Sequence, residues 1–139
     1  MDDAFEIIEH TADVGFRAWG ATMAGLFRNA ARALMAIAAD SAAIDAATGR
    51  AVEIAGHDPE SLMVNWLEEV LYLFDTGRFA ACDFAVEEIA PDHLRARLIG
   101  EPRDPARHPW MIIVKAITYH QIEVVERDGR WETTVFVDI

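Results

Sequence analysis

Asp128-Gly129 separates two strand-like runs, residues 122–127 and 130–139, and no other dipeptide in the chain restricts the fold as strongly. An Asp-Gly pair accepts the positive φ angles of a two-residue type I′ turn, which predicts an antiparallel hairpin with Arg127 opposite Arg130. Counting back pairs Val124 with Thr133, Ile122 with Val135, His120 with Val137 and Thr118 with Ile139. Opposed residues share a face. These residues, with Ala116, Val114 and Ile112, therefore form the apolar side that should meet the helices, and His120 reads as a hydrogen-bonded core histidine. The other side carries Glu123 opposite Thr134, Gln121 opposite Phe136 and Tyr119 opposite Asp138, continuing through Ile117 to Lys115. In this register four residues of strand, about 13 Å, separate Lys115 from Asp138. A bulge between Thr118 and Gln121 would break it.

Upstream, residues 5–8 and 16–20 read as two strands with a tight connection. Thr22 can cap a helix in which Met23, Leu26, Phe27, Ala30, Leu34, Ile37 and Ala38 recur at three- and four-residue intervals, ending near Asp40. Residues 41–49 are alanine-rich and weakly specified, and a short strand follows at 51–54. A second helix starts at Asp58, with Pro59 in its first position and Glu60 in its first turn, and stops at Gly77. Leu62, Met63, Trp66, Leu67, Val70, Leu71 and Phe74 give it a wide apolar face that assigns Trp66 to the core. Period-two patterning marks strands at 84–89 and 94–99. A loop at 100–109 contains three prolines, which forbid regular pairing, and the apolar run 110–120 reads as a strand.

At 139 residues and 53% hydrophobic, the chain fits one compact domain, residues 1–139, without repeat or linker. A net charge of −12 argues against direct, stable binding to nucleic acid, because phosphate contacts need clustered Lys and Arg. Such a surface suits docking on a basic protein or concentrating a cation. The single cysteine, Cys82, reads as a small buried hydrophobe rather than a reactive thiol. No apolar run approaches the roughly 18 to 20 residues that span a bilayer, and no secretory leader is visible, so a cytoplasmic location away from membranes is expected.

Lys115 is the only lysine; the other basic residues are all arginine. A retained ammonium within an apolar run points to a task that a guanidinium cannot perform, against the plainer reading of a stem that snorkels to water. Asp138 and the C-terminal carboxylate of Ile139 place two negative charges on consecutive residues, which need a counter-charge from Lys115, from a metal, or from both. Asp13 is the candidate third acid. An all-oxygen set of this kind prefers a hard cation such as calcium or magnesium to zinc; the alternative is a surface acid beside a solvated terminus. The histidines lack zinc-site spacing. His10, beside Thr11 and Asp13, either orients a site or closes a turn. Neither serine sits in a nucleophile motif, and no glycine-rich phosphate loop is present.

Together, Glu9-His10-Thr11-Ala12-Asp13-Val14-Gly15, Trp66-Leu67-Glu68-Glu69-Val70-Leu71-Tyr72-Leu73, the segment from Gly100-Glu101 to His108, Val114-Lys115-Ala116-Ile117-Thr118-Tyr119-His120 and the terminal Val137-Asp138-Ile139 resemble the archease family over nearly the whole chain. The resemblance implies an α+β fold, a two-layer α/β sandwich with a mixed, mostly antiparallel sheet packed against two main helices. It also implies an accessory protein rather than an enzyme. Its partner would be the GTP-dependent RNA ligase that joins 3′-phosphate or cyclic-phosphate ends to a 5′-hydroxyl in tRNA splicing and RNA repair. The accessory protein would promote ligase guanylylation and multiple turnover. On this sequence the implied ligands of a divalent ion are Asp13, Asp138 and Ile139, with calcium the expected ion and magnesium or manganese the others. Lys115, with His10 and Tyr119, is assigned to ligase activation. A general chaperone or modulator of RNA-processing enzymes is the second reading, using the acidic surface with Ile113, Ile117 and Tyr119. Exposed Ile113 and Ile117 also leave an oligomer open.

Overall fold

The structure, a computed structural model, describes residues 4–9 and 14–139. Local signals set both helices. The Thr22 hydroxyl accepts the Gly25 N–H at 3.0 Å and opens α1 (Met23–Ala38), satisfying one of the orphan donors of the first turn. Asp58 and Ser61 form a reciprocal capping box ahead of α2 (Pro59–Asp75). Gly77, at φ 76°, takes the left-handed conformation just past its end.

The strands are β1 (Phe5–Glu9), β2 (Val14–Gly20), β3 (Thr48–Ala55), β4 (Ala80–Ala90), β5 (His93–Glu101), β6 (Ala116–Ile117), β7 (Glu123–Arg127) and β8 (Arg130–Asp138). Among the described residues every pairing is antiparallel, and the strands divide between two sheets. One has the order β1-β2-β8-β6, with β7 sharing the β6 edge of β8; the other is β3-β5-β4. The stretch at 41–49 holds a short 3-10 turn, capped by Asp40, and the beginning of β3.

Helix α1 packs on β2 of the first sheet and β4 of the second. Its buried Ala30, Ala31, Ala33 and Ala38 allow close approach on both sides. Helix α2 joins it through Trp66, which is fully buried, donates its indole N–H to the Phe27 carbonyl at 2.9 Å, and meets Phe84 edge-on at 5.8 Å. Burying such a ring with its polar handle satisfied stabilises without leaving an orphan donor. Arg28 of α1 reaches Asp83 of β4 through two hydrogen bonds of 3.1 and 3.2 Å.

The Asp-Gly turn forms as the sequence dictates: Asp128 and Gly129 have φ of 55° and 75°, and Arg127 faces Arg130, Val124 faces Thr133, and Glu123 faces Thr134. Beyond Glu123 the register departs from expectation. Gln121 adopts φ 54°, Ile122 donates its N–H to the Tyr119 carbonyl at 3.2 Å, and the chain turns. When it rejoins β8, Val137 faces Ile117 rather than His120, an offset of three residues. An odd offset exchanges the faces of a strand. Ile117 is therefore buried instead of outward, and His120 is exposed instead of in the core, its ring 5.6 Å from that of Phe136. Thr118 bonds Phe136 rather than meeting Ile139, and Ile139 is 53% exposed instead of on the apolar side.

The run 110–120 contributes only Ala116–Ile117 as strand. Residues 110–114 keep a strand-like alternation without pairing. Val114 is buried and Trp110 and Ile112 half-buried, while Met111 and Ile113 point to solvent. The Met111 N–H is engaged instead by the Ala38 carbonyl at the end of α1, at 2.8 Å.

Candidate functional site at the joined ends of three strands

Strand β8 runs between β2 on one side and β6 on the other, so its last residues are flanked by two parts of the chain far apart in sequence. Val14, the first residue of β2, faces Val137, and Ala116, the first of β6, faces Asp138. The Lys115 N–H donates to the Asp138 carbonyl at 2.7 Å. The offset in register makes these two residues backbone neighbours, not the distant pair that an unbroken hairpin predicts. Asp138, Ile139 and Lys115 are all exposed at this end of the sheet. Tyr119, 58% exposed, sits in the turn that follows β6. His10 and Asp13 lie outside the described residues; the residue that follows Asp13 in sequence is Val14.

The backbone approach at this end depends on glycine. Gly15 faces Phe136, and a Cβ there would lie 2.3 Å from the Val135 carbonyl oxygen and 2.8 Å from the Phe136 ring. Any larger residue would push β2 from β8 beside the site. Among the described residues, the Asp138 carboxylate and the Lys115 amine make no hydrogen bond or ion pair with one another or with a third side chain. The donors that Asp138 and Ile139 offer are oxygens, which fit a hard cation. Among the described residues, no three His, Cys, Asp or Glu side chains gather as a metal site, so the ligand set read from the sequence depends on Asp13.

A second charged cluster is dominated by residues that period and spacing did not single out. Glu101, at the end of β5, accepts the Asp45 N–H at 2.9 Å, Arg107 at 3.0 Å and His108 Nε2 at 2.9 Å. The Asp104 N–H donates to Nδ1 of His108, which is 2% exposed, so the ring proton resides on Nε2 and is donated to Glu101. The Asp45 N–H foremost, then Arg107 and His108, pull the Glu101 carboxyl down to about 2. Arg103 donates to the Phe74 and His108 carbonyls, and its guanidinium lies 4.0 Å from the centre of the Phe74 ring and 5.4 Å from that of Trp110. Burial lowers its pKa. Arg103 thus ties the proline-rich loop to the end of α2 and seats Trp110, from which the chain runs to Lys115. Their only signal in sequence was an unusual density of charge in a loop.

Cys82 is half-buried, its thiol pushed up by burial and then by Asp83. A cleft of about 600 Å³ lined by Trp19, Arg28, Asn29 and Arg130 opens at the opposite end of β2 and β8. Its arginines are held by Asp83 and Glu132, and it shares no residue with the Asp138 end.

Fold and site together define a small α+β domain whose distinctive chemistry is an exposed carboxylate and a lone amine at one sheet end. The model of the Archease protein family matches residues 5–139, and the chain belongs to that family. It is similar to the protein archease of Methanosarcina mazei, 39% identical over 139 residues that cover 97% of this chain and 95% of the relative. Pyrococcus furiosus protein archease is 39% identical over 140 residues, covering 97% and 98%. Among solved structures, the solution structure of protein 1598 from Methanobacterium thermoautotrophicum superposes with a TM-score of 0.77 at 32% identity, covering 99% of this chain and all of that one. The crystal structure of an archease, possible chaperone, from Thermotoga maritima gives 0.64 at 18% identity, covering 95% and 94%, and shares the fold.

Proposed function

We propose that this chain is an accessory protein that activates the GTP-dependent 3′-phosphate/5′-hydroxyl RNA ligase of tRNA splicing and RNA repair, working in the cytoplasm through the joined ends of β2, β6 and β8. The observation that carries the reading is the meeting of Lys115 and Asp138, residues far apart in sequence, at one exposed sheet end in a chain of the archease family. Among the described residues, no helix is long and apolar enough to cross a membrane. Asp13, Asp138 and Ile139 would hold a divalent ion, calcium first and magnesium or manganese by the same oxygen chemistry, which would offset the negative charge of the tip. Met111 and Ile113, 65% and 60% exposed, with Tyr119 give the approach to Lys115 an apolar surface for the ligase. Lys115 then extends its ammonium to the partner's phosphates as a mobile point charge, with His10 and Tyr119 alongside it.

The test is GTP-dependent guanylylation of the ligase in the presence of wild type, Asp138→Ala or Lys115→Ala. Both variants should stimulate weakly; full stimulation by both would reject the mechanism. The second reading, a general chaperone or modulator of RNA-processing enzymes, draws on the same exposed apolar residues and on the Thermotoga maritima relative called a possible chaperone. It predicts many partners and indifference to Asp138. A single dominant ligase partner recovered from extract, lost with Asp138→Ala, would exclude it.

A further inference from the structure

Strand β6 is only two residues long, yet Lys115 owes its place to it. A two-residue strand following a break in register has little pairing of its own to hold it. Its two edges are treated differently. Toward β8, Lys115 and Thr118 donate their N–H groups to the Asp138 and Phe136 carbonyls at 2.7 and 3.0 Å. On the opposite edge, where another strand would pair, the Ile117 N–H donates to Glu68 Oε1 of α2 at 2.7 Å. The same helix does this again two turns earlier: Glu60 Oε2 accepts the outward Val124 N–H of β7 at 2.9 Å. Eight residues of helix are about 12 Å, so both carboxylates leave one face of α2 and meet the two strands that share the β8 edge. Charge-assisted bonds to carboxylates are stronger than neutral ones, and they satisfy edge donors that would otherwise template further strands.

We infer that Glu68 is the positioning residue of the site: by accepting the Ile117 N–H it clamps β6 onto β8, and so fixes Lys115 beside Asp138. Glu60 makes an equivalent bond where no site residue depends on it, and serves as an internal control. This rests on the functional reading above only for its consequence in activation; the clamp itself is a property of the isolated protein. Glutamine at position 68 retains an acceptor oxygen of the same reach, whereas alanine removes it and aspartate withdraws it by one methylene.

The experiment is amide hydrogen exchange on wild type, Glu68→Ala, Glu68→Asp, Glu68→Gln and Glu60→Ala, followed by calcium titration of each. In Glu68→Ala and Glu68→Asp, protection of the Lys115 and Thr118 amides, on the edge that Glu68 does not touch, should fall at least about tenfold and calcium affinity about 10- to 100-fold, as for other residues that orient ligands. Glu68→Gln should restore most of both, and Glu60→Ala should expose Val124 while leaving Lys115 protected. Unchanged Lys115 and Thr118 protection in both shortened variants, or equal loss in Glu60→Ala, would overturn the assignment. A wild-type chain that neither bound calcium nor stimulated the ligase would count against the functional reading alone, since exchange measures the clamp without either.

Discussion

Glu101 ends β5 and Asp138 ends β8, and the two carboxylates live in opposite surroundings. Glu101 is 9% exposed and takes hydrogen bonds from a backbone amide, an arginine and a histidine; Asp138 stands exposed, and among the described residues its carboxylate takes no hydrogen bond while its backbone carbonyl accepts the Lys115 N–H. A carboxylate with its lone pairs filled can neither bind an ion nor change partner without breaking structure. One left open at a strand end can do both at little cost to the fold. The difference separates charge tied into the fold from charge left open to solvent, and it predicts that variants of the two clusters will fail in different assays.

The largest effect should come from Asp138→Ala: ligase stimulation and calcium affinity should drop at least about 100-fold, the upper end for residues that support a bound ion. Thermal unfolding should move little, because the side chain is exposed. Gly15→Ala should damage both properties, since its Cβ would collide with the Val135 carbonyl. A loss of about 1–3 kcal/mol of stability, as for overpacked sites, is expected by denaturant titration, together with weakened calcium binding. Arg103→Ala should cost about 2 kcal/mol through lost hydrogen bonds and ring contacts, with stimulation retained once the protein is folded.

Glu101→Gln should act on stability and not on stimulation, and is most informative at acid pH. The folded carboxyl lies near 2 against an ordinary 4.5, so its stabilisation is complete above about 4.5 and disappears as pH falls toward about 2. The variant should be less stable than wild type at neutral pH, should show a flatter acid limb of unfolding over that interval, and should stimulate the ligase normally. Lys115→Arg sharpens the comparison from the other side. Stability should be unchanged and stimulation reduced, because a planar fork does not reproduce a compact ammonium.

Much of the fold was legible because its signals are local. The Thr22 and Asp58 caps, Gly77 and the Asp128-Gly129 turn each depend on a few adjacent residues, and the structure uses all of them as the sequence predicts. The site was legible in part. Asp138, Ile139 and Lys115 do share one end of the sheet, but the route to them was misread. The break between Thr118 and Gln121 that the sequence leaves open is where the chain turns, with Gln121 at φ 54°, and only the unbroken register puts His120 and Ile117 on the wrong faces. The Glu101 cluster left only a density of charge in a loop, and the Glu68 bond left no local mark. Each joins residues 49 to 56 positions apart, Glu68 with Ile117 and Asp45 with Glu101, and a surface-like acid in a helix or strand carries no mark of the backbone amide it will accept.

Calorimetric titration of calcium into wild type, Asp138→Ala and Glu101→Gln tests the central claim most directly. Wild type and Glu101→Gln should each take up one ion with similar affinity, and Asp138→Ala should lose that uptake. Binding by Asp138→Ala equal to that of wild type, or uptake abolished by Glu101→Gln in a folded chain, would contradict the assignment of the open carboxylate as the functional one.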